Sequence, residues 1–157
     1  MTDMLAHFIE LNVFSTPEDG ADKVYGGLLS FLPFDLDKEK IAVKRTNTEG
    51  FNDRKIVIME ARLDKQRHIM AFLRNLASRL SPDQKELLSR QKDTRVDDSL
   101  YFFMRFDKSR LIDENKLWIT DCGNCFHLKI ALAPFPRKKE LALEIVDRIL
   151  SLDASAD

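Results

Sequence analysis

Two stretches of this chain alternate in a way that a helix cannot use. In the run 100–106, Leu100, Phe102, Met104 and Phe106 fall on every second position; in 126–132, so do Phe126, Leu128, Ile130 and Leu132. Side chains of a strand alternate between the two faces of a sheet, so period two gathers each set on one face. A sheet with one apolar face has to be covered, and the covering layer here is helical. The intervening positions hold Tyr101, Phe103 and Arg105 on one strand and His127 and Lys129 on the other, with Trp118 opposing Leu117 and Ile119 nearby.

The rest of the chain supplies both layers. Leu5, Ile9, Leu11 and Val13 alternate within 4–14, a strand. Thr16-Pro17 is read as a helix start, with Pro where its missing N–H costs nothing. Ala21, Val24, Tyr25, Leu28, Leu29 and Leu32 follow at helical spacing. Gly26 and Gly27 weaken that helix, and close packing on the sheet is one reason to keep them. Residues 41–45 and 55–63 read as a hairpin across a polar loop, 46–53. Asp64 is expected to cap a helix whose stripe is Ile69, Phe72, Leu73, Leu76, Ala77 and Leu80. Ser81-Pro82 opens another, with Gln84 placed for a capping box. Residues 95–99 read as a polar loop and 107–111 as one short turn. A second hairpin joins 116–120 to 126–132 across Asp121–Asn124. The last helix spans 137–152, with Leu141, Ile145, Ile149 and Leu152 inward. The order is β-α-β-β-α-α-β-β-β-α, an α+β fold of two layers: a mainly antiparallel sheet with helices on one face.

A chain of 157 residues, 44% apolar and 32% charged, fits one globular domain spanning 1–157, with its ordered core about 4–152. Its longest apolar runs fall short of a membrane span. Met1-Thr2-Asp3-Met4 lacks the basic start and apolar stretch of a secretory leader, which sets a cytoplasmic expectation. Cys122 and Cys125 have C-x-x-C spacing, but a structural zinc needs about four ligands and no second pair exists. The pair also falls in an expected turn rather than at the helix start that activates redox thiols. No Walker loop, dinucleotide-binding glycine pattern or nucleophile motif is present. The expectation is therefore no catalytic centre, no metal and no cofactor.

Charge is distributed unevenly. Residues 1–37 hold one Lys against seven Asp and Glu, whereas 38–79 hold eleven Lys and Arg against five Asp and Glu. A basic middle in a chain of net charge −1 implies either a localised anionic partner or solvated helix faces. Lys44, Arg45, Arg54 and Lys55 flank the 46–53 loop. Arg105, Lys108 and Arg110 follow a strand that carries Tyr101 and Phe103, and Lys129 lies on the other. Arg137, Lys138 and Lys139 open the last helix, where cations oppose the dipole and strengthen an anion site. Aromatics interleaved with cations on an open sheet suit stacked bases and phosphates. They equally suit packing under a loop or a dimer contact.

Several segments carry a resemblance. They are Ile56–Leu63 running into Asp64-Lys65, Val96-Asp97-Asp98 through Tyr101, Arg105-Phe-Asp-Lys108, the turn Asp121-Cys-Gly123, and Ala133-Pro-Phe-Pro-Arg-Lys-Lys-Glu140. Over most of its length the chain resembles the archaeal exosome-subunit-like RNA-binding proteins, whose fold is related to double-stranded-RNA-binding domains. Phe135-Pro136 fits the family's aromatic before proline; the cysteines are peculiar to this sequence. The resemblance implies RNA binding, an accessory part in RNA processing or degradation with exosome subunits as partners, and no catalytic signature. The rival expectation is a protein-interaction module that docks on a larger assembly or forms a homodimer through its sheet.

Overall fold

The computed structural model describes residues 4–50 and 54–153. Residues 1–3, read above for a leader, 51–53, the last part of the expected loop, and 154–157 lie outside them. The strands are β1 (Ala6–Ser15), β2 (Val43–Glu49), β3 (Lys55–Leu63), β4 (Tyr101–Asp107) and β5 (Cys125–Leu132). The helices are α1 (Ala21–Leu29), α2 (Leu36–Glu39), α3 (Gln66–Arg79), α4 (Pro82–Arg95), α5 (Lys108–Glu114) and α6 (Lys139–Leu150). The strands form a sheet ordered β2-β3-β1-β5-β4, and each neighbouring pair is antiparallel. The α+β class with helices on one face is as expected; the element order differs in detail.

The alternating residues do what their period requires. Ile9, Leu11, Val13, Met59, Ala61, Phe102, Met104, Phe106, Phe126, Leu128 and Ile130 are buried on the helix-covered face. Phe31, just past α1, ties the layers together. Its ring lies 6.4 Å from Phe72 of α3, 5.6 Å from Phe106 of β4 and 5.7 Å from Phe126 of β5. Gly27 shows why α1 tolerates glycine: a Cβ there would stand 2.6 Å from Phe126 Cζ. Gly26 has open space instead and gains nothing from closeness.

Five local expectations are corrected. Thr16-Pro17 does not open α1. The Thr16 N–H and hydroxyl both donate to Asp19 Oδ2 at 2.9 Å, closing a separate turn, and α1 starts after Gly20. Strand β2 runs on through Thr46–Glu49, which reads as loop because an exposed edge strand needs no apolar residues. Asp64 caps nothing: the residue before α3 is Lys65, and Asp64 instead accepts from Arg62. Ser81 caps α4 by accepting from the Gln84 N–H at 3.2 Å, but Gln84 turns its own side chain away to accept from the Ile119 N–H at 2.7 Å. Lys116–Thr120 is not a strand beside β5. It lies along the outer edge of β4, where Asp107 N–H donates to Trp118 O and Thr120 N–H to Arg105 O.

Candidate nucleic-acid interface

The register determines which side chains share the uncovered face. Across β3, β1, β5 and β4, one row reads Glu60, Asn12, His127, Arg105 and the next Arg62, Glu10, Lys129, Phe103. Lys44 extends the first row onto β2. Phe8 and Tyr101 follow towards the end of the sheet where β4 begins.

The aromatics form a continuous strip. Phe8 and Tyr101 meet edge-on at 5.8 Å, as do Tyr101 and Phe103 at 6.4 Å, while Phe103 and His127 lie tilted at 5.7 Å. Cations lie over it: Lys129 Nζ is 4.5 Å from the Tyr101 ring centre, and the Arg62 guanidinium is 3.9 Å from that of Phe8. Such contacts hold a charged head against a flat apolar surface without dehydrating it fully. The start of the strip is shaped by a strained turn. Leu100 takes a left-handed backbone (φ 64), and the Asp97 carboxylate accepts from the N–H groups of Ser99 and Tyr101.

Glu10 stands between the cations, 2.9 Å from Lys129 and 3.2 Å from Arg62. Partial burial works to raise its pKa, but the hydrogen bonds and charges of Lys129 and Arg62 outweigh that and hold it below the usual carboxylate value. Asp64 in turn raises the Arg62 pKa through a hydrogen bond. Burial, reinforced by the charges of Arg105 and Lys129, depresses His127, so the ring favours its neutral form. The open face is thus an aromatic strip edged by cations with carboxylates among them. It is not a uniformly positive surface.

The sequence-based candidates fall into three groups. Lys44, Tyr101, Phe103, Arg105 and Lys129 come together on the open face. Arg137, Lys138 and Lys139 sit near the end of that face, where Arg137 donates to Ser99 O at 3.0 Å; Lys139 leans towards Asp93 of α4, 3.8 Å away. The others are dispersed. Arg45, adjacent to Lys44, points to the opposite side of the sheet and stacks on Tyr25 of α1 at 4.2 Å. Arg54 pairs with Glu18, and Lys55 lies opposite Glu49 at the far end of the β2–β3 hairpin. Arg110 of α5 stacks on Trp118 at 4.6 Å and lies 3.8 Å from Glu114. Lys108 is a correction: its side chain is 3% exposed, donates to Phe14 O at 2.7 Å and pairs with Asp19 at 3.1 Å. It is a buried strut between α5, β1 and the Thr16–Asp19 turn, beyond the reach of a phosphate. Arg62, Phe8 and Glu10 belong to the open face and are absent from the sequence-based candidates. Glu60-Ala-Arg62 alternates polar and apolar on β3, which is the signal that could have found Arg62.

The RNA-binding family model matches residues 8–132. The chain belongs to this RNA-binding family. The matched segment takes in nearly the whole sheet and the open face, and it stops short of Phe135 and α6. This family member is 28% identical over 142 residues to the RNA-binding protein PAB1135 of Pyrococcus abyssi, covering 90% of this chain and 91% of that one. The family and this relative are described as RNA-binding, not as enzymes. Among solved structures, it resembles protein AF2318 from Archaeglobus fulgidus, with TM-score 0.78, 18% identity and coverage of 94% and 99% of the two chains. It also resembles Mth689, a DUF54 protein from Methanothermobacter thermautotrophicus, with TM-score 0.73, 24% identity and coverage of 94% and 99%. At these identities the two structures speak for the fold.

Proposed function

We propose that the protein binds RNA across the open face of its sheet. The observation that carries this is the strip Phe8–Tyr101–Phe103–His127 with Lys129, Arg62, Arg105 and Lys44 around it. Every base has a π-face that stacks on such rings whatever the sequence. The cations supply phosphate contacts, which give affinity without sequence choice. Glu10 keeps Lys129 and Arg62 in place over the rings before RNA arrives. Membership of an RNA-binding family and the relative named for RNA binding support the reading. We extend it to an accessory role in RNA processing or degradation, in the cytoplasm, alongside exosome subunits. The resemblance to exosome-subunit-like proteins, with a platform akin to double-stranded-RNA-binding domains, is the ground for that extension.

The test is fluorescence anisotropy with labelled structured and single-stranded RNA across about 50 to 200 mM salt. Arg105→Ala with Lys129→Ala should weaken binding and flatten the salt slope by about 0.7–0.9 for each phosphate no longer neutralised. A wild-type protein indifferent to salt would sink the reading; an unchanged slope in the double variant would remove RNA from this face.

Phe14, 43% exposed on the same face beside Ile58, favours a second reading in which the sheet docks on a protein or on another copy. Light scattering, and a pull-down after nuclease treatment, separate the two: a partner retained without RNA supports docking.

A further inference from the structure

We propose that Phe135 is a stacking platform for an unpaired RNA base, with Arg137 and Lys138 meeting the phosphates beside it. The proposal rests on the RNA-binding reading above and places a second contact outside the segment that the family model matches.

Phe135 is 96% exposed, an entire apolar ring held in water. It is not on a loose tail. Pro134 and Pro136 restrict the backbone on both sides. Just before them the Ala133 N–H donates to Leu5 O at 3.0 Å, and just after them Arg137 is tied to Ser99. The backbone that carries the ring is therefore held in place, which lowers the entropy lost when something stacks on it.

Beside the ring lies a groove of about 620 Å³, a size suited to one small-molecule-sized group such as a nucleoside. Met4 and Leu141 give it apolar surface, Arg137 and Arg148 give it positive character, and His7 also lines it. Glu144 also lines it, so the groove is mixed rather than purely basic. Lys138 precedes α6 and is exposed. An apolar slot beside a free ring and a cationic rim matches a base with its flanking phosphates better than a hydrocarbon chain.

The position lies beyond the end of the sheet at which Tyr101 stands. Tyr101 lies opposite Ala131 on β5, and that strand leads directly to Ala133 and Phe135. An RNA strand stacked along Phe103 and Tyr101 leaves the sheet at the end where Phe135 projects. Bases in a duplex already have both faces stacked, so a lone projecting ring selects an unpaired one.

The experiment uses the full chain with two probes: a short single-stranded RNA carrying 2-aminopurine, and a blunt RNA duplex. Variants are Phe135→Ala, Phe135→Leu and Phe135→Trp. Circular dichroism melting serves as the folding control, which so exposed a side chain should leave unchanged. Stacking predicts quenched 2-aminopurine with wild type and Phe135→Trp. It predicts loss of quenching and about five- to a hundredfold weaker single-strand binding with Phe135→Ala and Phe135→Leu. Duplex affinity should hardly move. If Phe135→Ala binds the single strand as tightly as wild type, or Phe135→Leu keeps full affinity, the platform is overturned while RNA binding stands. If wild type binds neither probe, both fall. If Phe135→Ala instead turns a dimer into a monomer by light scattering, the groove's occupant is a second copy and the proposal is overturned.

Discussion

Lys108 allows the clearest test of structure against sequence, because a surface phosphate contact and a buried strut predict opposite phenotypes. Lys108→Met keeps the stem and removes the ammonium. Removing one partner of a buried ion pair costs about 3–5 kcal/mol when the other charge is left alone. Asp19 is not left wholly alone: it is 19% exposed and still accepts from the Thr16 N–H and hydroxyl. That compensation reduces the carboxylate's share of the loss. The Phe14 carbonyl, deprived of its donor, adds about 1–3 kcal/mol. Together these give a loss of about 2–4 kcal/mol. With a urea slope of about 2 kcal/mol per molar, in the middle of the usual range, the midpoint should fall by about 1–2 M. Unfolding would be followed by circular dichroism and by fluorescence of Trp118. Asp19→Asn combined with Lys108→Met should cost less than the sum of the single changes, because both act on one contact. RNA affinity, measured where the variant is folded, should match wild type. A variant of near wild-type stability with RNA affinity reduced severalfold would refute this assignment and return Lys108 to the surface.

Adjacent glycines in α1 should respond in opposite directions. Gly26→Ala meets open space and should stabilise by about 0.5–1 kcal/mol through helix propensity. Gly27→Ala drives a methyl into Phe126, which is fully buried and cannot yield, and should destabilise by about 1–3 kcal/mol; melting temperatures that rise for both would mean α1 is not pressed against β5. The Glu10 pKa is lowered in the fold, so its stabilising effect is present above the unfolded carboxylate value and lost as pH falls through the folded one. Glu10→Gln should therefore flatten the acid limb of a stability-versus-pH curve, and an identical limb would show that the Lys129 and Arg62 contacts do not persist. His127 has a depressed pKa, so the free protein loses stability as pH falls below about 6.5. A phosphate nearby would raise that pKa again, so RNA should bind more tightly as pH drops over the same range. His127→Asn should remove this trend, and a trend that survives the change would assign it to another group.

How far the fold is legible in the sequence depends on where each signal resides. Residues 100–106, 126–132 and the stripe from Ile69 to Leu80 are legible because their period is local and their faces are buried. Thr46–Glu49 is not, because both faces of that edge strand are wet. Lys116–Thr120 is more instructive. Leu117 and Ile119 are buried, as their alternation implies. The segment makes only an isolated bridge to β4 at Ile119, whose own N–H points away from β4 and is taken by Gln84, far away in the sequence. Alternation reports which side of a segment is dry; it does not report what the backbone hydrogen-bonds to.

The same limit governs the site. Lys44 and Arg45 diverge by simple strand parity, and parity alone separates them. Arg105 and Lys108 diverge because the chain turns from β4 into α5 between them, carrying one ammonium into the interior where Asp19 waits. No spacing along the chain encodes that meeting. Nor does any spacing place Glu10 between Arg62 and Lys129, since this requires β1 to lie between β3 and β5. The net charge of −1 is consequently a poor guide to the partner. A face with Lys44, Arg62, Arg105 and Lys129 among its rings can attract a polyanion locally while acidic groups elsewhere balance the total. If Glu10 orders two of those cations rather than cancelling them, Glu10→Gln should raise non-specific affinity at low salt yet lower the 2-aminopurine quenching of a strand stacked on Tyr101. A carboxylate that merely repels RNA would yield a gain in both.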